Sequence, residues 1–365
     1  MIPALLEYMV IFILVFLAIA FAMIPYLTPP YIQFGIRLPQ SLVDSEGVID
    51  VRRKYRNYSV LLSAIIIALF VILLPYVAVV MISTVPLLVV LAMFFLYYWF
   101  HRKVADLKRS VQDEHQYPAA STAVIGDIQE NVNRLWLLVP WFEILIFFAV
   151  GILYYPSIPQ TFPTHFTVSG TPDQYATKSV LSVFGILFFA GVPVAVLIET
   201  ISVLSLRVAP FQNSRSPRKT AKQMAAFNSI IFYALLGILL VIELSLFLSI
   251  SVTWGMLPSS YGFVSILPVI FVLPFILVIS FKTGQTGWKL FPQAIETPSE
   301  KSSPDDDRFW KAGVLYYNRE DRSLIVPKRF GVGYTFNFAH PVSWVVLALP
   351  LIVFAIVFLM VSKVV

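Results

Sequence analysis

Long apolar stretches alternate with shorter polar connections along the whole chain. A helix needs about 20 apolar residues to cross the hydrocarbon core of a bilayer. Stretches of that kind run Ala4 to Tyr26, Ser59 to Val79, Val85 to Phe100, Leu135 to Tyr154, Val180 to Leu206, Ser229 to Val252, Phe263 to Phe281 and Ser343 to Val365. Residues 59 to 100 form an apolar run too long for one crossing, and Ser83, Thr84 and Pro86 supply its break, so a tight hairpin is predicted there. The first stretch has no basic residue ahead of it and no small-residue cleavage site behind it, so it is expected to stay as a span.

Charge gives these spans a direction. All but Lys178 and Lys363 of the 26 Lys and Arg residues fall in the connections 27 to 58, 101 to 134, 207 to 228 and 282 to 342. The positive-inside rule then predicts that these four connections are cytoplasmic, with both termini outside. The turn near Thr84, the 155 to 179 segment and the Gly255 to Gly262 turn are expected on the outer face. The predicted organisation is an all-α integral membrane protein of about eight transmembrane helices, carrying a small cytoplasmic β-hairpin module. Its parts are an N-terminal region of three spans (1–134), two spans enclosing an outer loop (135–206), two further spans (207–281), a linker with the module (282–342) and a last span (343–365).

Composition narrows the chemistry. The chain is 58% hydrophobic and only 13% charged, outside the range of soluble domains. Its net charge of +6 sits beside spans, where it sets orientation and attracts anionic lipid, so no direct nucleic-acid partner is expected. Clusters such as Arg52 to Lys54 and Arg215 to Lys222 read mainly as such topology signals. No cysteine occurs, which excludes disulfides, thiolate catalysis and Cys-ligated zinc. The four histidines, His101, His115, His165 and His340, are scattered, and no His-Glu-x-x-His, Gly-x-Ser-x-Gly or Gly-Lys-Ser/Thr motif appears. No catalytic residue, metal site or cofactor is predicted, and the chain reads as a non-enzyme.

Within the cytoplasmic connections, residues 310 to 339 alternate aromatic and β-branched residues around Asn318-Arg-Glu-Asp321, which predicts a β-hairpin. Ahead of it, Glu296 to Asp307 is rich in Pro, Ser and acidic residues and reads as a flexible linker. On the outer side, Pro156, Pro159 and Pro163 stiffen the start of the loop 156 to 178 by fixing φ. Ser169 and Gly170 are expected to supply a turn, Asp173 to accept from backbone amides, and His165 to donate, accept or titrate near neutrality.

Glu143, Glu199 and Glu243 fall inside predicted spans, where a carboxylate is costly unless protonated, paired or facing water. Glu143 and Glu199 are predicted at similar depth, close enough to share a proton.

The pattern Ile158-Pro-x-x-x-Pro163-x-His165-Phe166, then Ser169-Gly170, Asp173, Tyr175 and Lys178, resembles the short signature of the SdpI-like membrane proteins. Thr167 departs from the Asn or Gly usual after His-Phe. The resemblance implies Pro163, His165, Phe166, Gly170, Asp173 and Lys178 as the residues meeting a ligand or partner. Trp310, Gly313, Tyr316, Tyr317, Asn318, Pro327, Gly331, Gly333 and Asn337 are similar to a second uncharacterised domain that accompanies this signature. Phe34-Gly-Ile-Arg37-Leu-Pro39 with Arg52-Arg-Lys-Tyr55 resembles the first inner loop of the same relatives. The resemblance implies immunity against a secreted, membrane-acting toxin peptide, or signalling that holds a cytoplasmic regulatory protein at the membrane. The residues also leave open a proton- or ion-coupled transporter using the three glutamates, and a membrane scaffold.

Overall fold

The computed structural model describes residues 2–76, 79–111, 132–167, 171–208, 217–265, 267–291 and 306–363. Its helices are α1 (Ile2–Leu27), the single turn α2 (Gln40–Val43), α3 (Glu46–Leu73), α4 (Val79–Val111), α5 (Leu138–Tyr154), α6 (Val180–Ile186), α7 (Val192–Leu206), α8 (Pro217–Thr253), α9 (Leu267–Thr283) and α10 (Pro341–Lys363). Among the described residues, seven helical segments are long and apolar enough to cross a membrane. The chain is a multi-pass membrane protein, and α10 follows where the last apolar stretch was expected.

Several helices run past the apolar stretches. α3 starts at Glu46 because Ser45 caps it, its side chain accepting from the Val48 amide. The break between α3 and α4 is not at Ser83, Thr84 and Pro86. α3 ends at Leu73, a 3-10 turn covers Leu74–Tyr76, and α4 has begun by Val79. Pro75 lies in that turn and has no amide to donate to the helix ladder, whereas Pro86 is carried within α4.

α6 begins with a reciprocal cap, in which Ser179 Oγ accepts from the Ser182 amide and Ser182 Oγ from the Ser179 amide. A π turn, Leu187–Gly191, joins α6 to α7 directly before Pro193. Proline cannot donate to the helix ladder and its ring crowds the carbonyl four residues back, which the wider turn accommodates.

The helices form two bundles. One packs α1, α3 and α4 around Leu14, Phe70, Val89 and Met93, and at one end around Phe34, Tyr55, Tyr97 and Phe100. The other packs α5, α6, α7 and α8, with α9 touching both α8 and α1.

Four small antiparallel hairpins decorate the ends: β1 (Ile32–Gln33) with β2 (Ile36–Arg37), β3 (Thr161–Phe166) with β4 (Pro172–Thr177), β5 (Trp310–Lys311) with β6 (Leu315–Tyr316), and β7 (Ile325–Pro327) with β8 (Tyr334–Phe336). The single hairpin expected to turn at Asn318 to Asp321 is therefore two. β5 turns into β6 through Ala312 and Gly313, both at positive φ, and β7 into β8 across Gly331 and Gly333. Asn318 to Asp321 is instead a link between hairpins, stitched by buried Asn337, whose Nδ2 donates to the carbonyls of Asn318 and Asp321 and whose Oδ1 accepts from the Asn318 amide.

This C-terminal module and the two residues before its first turn meet described residues of the other basic connections: Gly35 and Arg37, Lys108, and Met224 and Asn228. It is locked to the first bundle by charge. Arg329, with no exposed side-chain surface, pairs with Asp306 and Asp307 and donates to the Gly35 carbonyl at 3.1 Å. Arg37 Nε donates to Asp306 at 3.0 Å, and Lys108 Nζ, at the end of α4, to Asp307 at 2.7 Å. Asp306 and Asp307 thus end the acidic stretch in a fixed cage rather than in a flexible linker; the rest of that stretch, 296–305, lies outside the described residues. Gly35 and Gly313, both at positive φ, let two backbones touch: a Cβ on Gly35 would lie 2.3 Å from the Gly313 Cα.

The module also grips the second bundle. Ile325, Tyr334 and Phe336 pack with Met224 and Phe227 of α8, and Gln285 Nε2 donates to the carbonyls of Lys328 and Gly333 at 2.7 and 2.9 Å.

Burial raises the Asp306 carboxyl, but Arg329 and Arg37 outweigh it and hold it down at about 2. Its contribution to stability is therefore complete above about pH 4 and is lost as pH falls through about 2. Arg329→Met should cost about 1–3 kcal/mol, since Asp306 and Asp307 each lose a charged hydrogen-bond donor but keep Arg37 and Lys108. Unfolding of the purified protein in detergent at neutral pH measures this, and wild-type stability in the variant would contradict the cage.

Candidate functional site

At the opposite end of the second bundle, β3 and β4 form a hairpin seated on the helices. Phe162 and its register partner Ala176 point inward, nearly fully buried, against Ile158, Val183, Ile250 and Trp254. Lys178 closes the base of the hairpin. Its backbone amide donates to the Gln160 carbonyl at 2.8 Å, its Nζ to the Ile158 carbonyl at 2.9 Å, and the ammonium lies 4.6 Å from the Tyr155 ring centroid. Lys178 thus serves the hairpin's base and not its exposed face.

The pairing of Pro163 with Tyr175 is followed by that of His165 with Gln174, so Thr164 is an extra residue on β3. Such a bulge re-aims the side chains that follow it. His165 comes out exposed beside Asp173, its Nδ1 2.6 Å from Asp173 Oδ1. Among the described residues, Asp173 therefore meets the imidazole rather than the backbone amides expected of it. Phe166 is half-buried opposite Pro172, and the hairpin narrows through Thr167 and Thr171, whose hydroxyls are 2.7 Å apart. Ser169 and Gly170, expected to make the turn, lie outside the described residues.

Beside the hairpin, an apolar groove of about 810 Å³ opens between α5 and α6. Phe148, Phe184 and Tyr155 stack in series along it, with ring centroids 5.7 and 6.2 Å apart, while Ile152, Leu181 and Phe188 line it and stay exposed. The sequence pattern hid this groove, since its residues look like any lipid-facing surface.

Deeper in the same bundle, the three span glutamates gather from three helices. Glu143 is on α5, Glu199 on α7 and Glu243 on α8, close to the apolar cluster of Ile144, Ala195 and Leu239. The Glu243 carboxyl meets that of Glu143 and lies within electrostatic reach of Glu199. Glu199 was expected to be the partner of Glu143, but it accepts from Trp141 Nε1 at 3.0 Å. The reason is register: Phe147 and Phe247 stack with centroids 4.1 Å apart and planes within 6° of parallel. One turn back from each stands a glutamate, so that stack sets Glu143 opposite Glu243. The Phe147/Glu143 and Phe247/Glu243 spacings are legible in the sequence, but nothing local to it says that α5 and α8 are neighbours. Among the described residues, no group of three or more His, Asp or Glu is placed to hold a metal ion.

Of the module residues singled out, Trp310, Tyr316, Asn318 and Asn337 hold the module together. Trp310 carries the Arg329 guanidinium 5.0 Å from its ring centroid and packs on Tyr316, whose hydroxyl donates to Asp321 at 3.0 Å and accepts from Asn318 at 3.2 Å. Tyr317 alone among them is exposed, its hydroxyl accepting from Arg319.

Two family models match parts of the chain. Residues 144–190 match a domain of unknown function, DUF1648, and residues 319–344 a family of unknown function, DUF5808. The first covers most of α5, the whole β3–β4 hairpin, α6 and part of the π turn; the second covers the β7–β8 hairpin, Asn337 and the start of α10. No curated protein and no solved structure matches the chain.

Because Phe162 is the hairpin's buried anchor, Phe162→Ala is expected to destabilise by about 3–5 kcal/mol. His165→Ala, at an exposed pair, should cost under about 1 kcal/mol. Unfolding in detergent, with hydrogen exchange across residues 161–177, separates the two, and equal losses would contradict this division.

Proposed function

We propose that this protein is a receptor-like integral membrane protein of the SdpI-like kind. It gives resistance to, or signals the presence of, a secreted membrane-active peptide, and it acts by binding rather than by catalysis. It sits in the cell membrane with eight spans, α10 being the last, and both termini outside. The basic end with the C-terminal module is cytoplasmic and offers its surface to a regulatory protein and to anionic lipid.

The observation that carries this reading is the pairing of two surfaces at one end of the molecule. A braced hairpin presents His165 and Asp173 to water, and an open apolar groove lies beside it. An amphipathic peptide needs both, because its polar groups stay in water while its apolar side chains seek hydrocarbon. A second reading, proton-coupled transport, is favoured by the gathering of three glutamates within the spans. In that case liposomes show pH-dependent flux that Glu→Gln substitution abolishes.

Expression in a sensitive cell is expected to raise survival against the secreted peptides of the host and its competitors. His165→Ala and Asp173→Ala should weaken that protection without changing the amount of protein in the membrane. Wild-type protein present in the membrane without protection would reject the reading.

A further inference from the structure

Glu243 is 2% exposed, and no donor from another described residue reaches either of its carboxyl oxygens. The same is true of Glu143 Oε2 and Glu199 Oε1, while Glu199 Oε2 is held by Trp141. A buried oxygen left without a hydrogen bond costs about 1–3 kcal/mol, and more when charged, so an empty arrangement of this kind is expensive.

Among the described residues, the elements around it bring no compensating charge. Of the elements packed on α8, α5 brings Glu143 and, at its hairpin end, Tyr154, whose hydroxyl faces the Gly255 carbonyl; α7 brings Glu199, while the π turn brings no titratable group. α9 carries only Lys282, in its last turn, and the 3-10 turn Ser259–Ser265 carries only exposed Tyr261. The turn Gln285–Gly287 holds no titratable residue. On β3, His165 stands on the far side of a layer made by the Phe147 and Phe247 stack and by Trp254. Trp254 fills the space over Gly151 so closely that a Cβ there would come within 2.6 Å of it.

We propose that Glu143 and Glu243 form a proton-binding site in the membrane-spanning part of the second bundle, the two carboxyls sharing one proton. Glu199, oriented by Trp141, is the third carboxyl of the site. Two facing carboxylates with no cation beside them repel in a low dielectric, whereas one proton between them turns repulsion into a charge-assisted hydrogen bond and satisfies an orphaned oxygen. The pair then titrates as a unit. This site depends on neither the resistance reading nor the transport reading, since a proton held here serves as structure, switch or cargo alike.

Infrared spectroscopy of the full-length protein in lipid nanodiscs tests it. The wild type is expected to show a protonated-carboxyl C=O band at neutral pH that fades as pH rises. Both Glu143→Gln and Glu243→Gln should abolish the band, because the amide then donates to the remaining carboxylate in place of the proton, and Glu7→Gln on α1 should leave it. Absence of the band in the wild type, or its survival in either of the two variants, overturns the proposal. Should a variant fail to fold, carbodiimide treatment of the wild type decides, since the reagent adds to protonated carboxyls. An adduct on Glu143 or Glu243 at neutral pH supports the shared proton, and its absence from both overturns it.

Discussion

The fold turns on a single guanidinium. Arg329 is buried without exposed surface, and an ion so placed costs several kcal/mol unless opposite charges surround it. Everything near it meets that demand. Asp306 and Asp307 come from the segment just before the module and the Gly35 carbonyl from the first connection, while Arg37 and Lys108, from two further places in the chain, each hold one of the two carboxylates. The strained turn follows from the same geometry. Phe34 adopts a positive φ of 50° so that Gly35 can face Gly313, and its ring is repaid by close packing on Tyr55, Tyr97 and Phe100. With the first bundle tied by charge and the second by Gln285 and the β7–β8 hairpin, the module acts as a clamp across both.

On the proposed reading, a fixed base leaves the opposite end as the place where the molecule meets the outside. There the hairpin is held by Phe162 and Lys178, and its His165–Asp173 pair has little part in holding the fold. On the proposed reading, this is why the pair is free to be spent on recognition. Between the two ends lie the glutamates, separated from the hairpin by aromatic rings. The matched region 144–190 contains the hairpin, the groove and the Phe147 and Trp254-facing part of α5, but stops before Glu199 and Glu243.

Local pattern made much of this legible. Apolar length placed the helices, and the run of basic residues in alternate connections identified the end where the module gathers. The loop 156 to 178 stood out because prolines, His165 and Asp173 are rare company between spans. What failed to show were contacts distant in sequence. Asp306 and Asp307 read as linker because their partners are Arg37, Lys108 and Arg329. Glu143 was matched to Glu199 by depth, whereas the facing register of α5 and α8, set by Phe147 on Phe247, matches it to Glu243. The module's turns fell at Ala312–Gly313 and near Gly331, not at Asn318–Asp321, because backbone sign and the Asn337 stitches outweighed a turn-like composition.

The claim that the C-terminal module is locked to the first bundle by charge is tested most directly by a double-mutant cycle on Arg37 and Asp306. Stability in detergent would be measured for Arg37→Ala, Asp306→Ala and the double variant. Residues in direct contact couple by about 0.5–3 kcal/mol, whereas independent sites add to within a few tenths. A double variant that loses clearly less than the two single losses together is the result this structure predicts; simple additivity would contradict it.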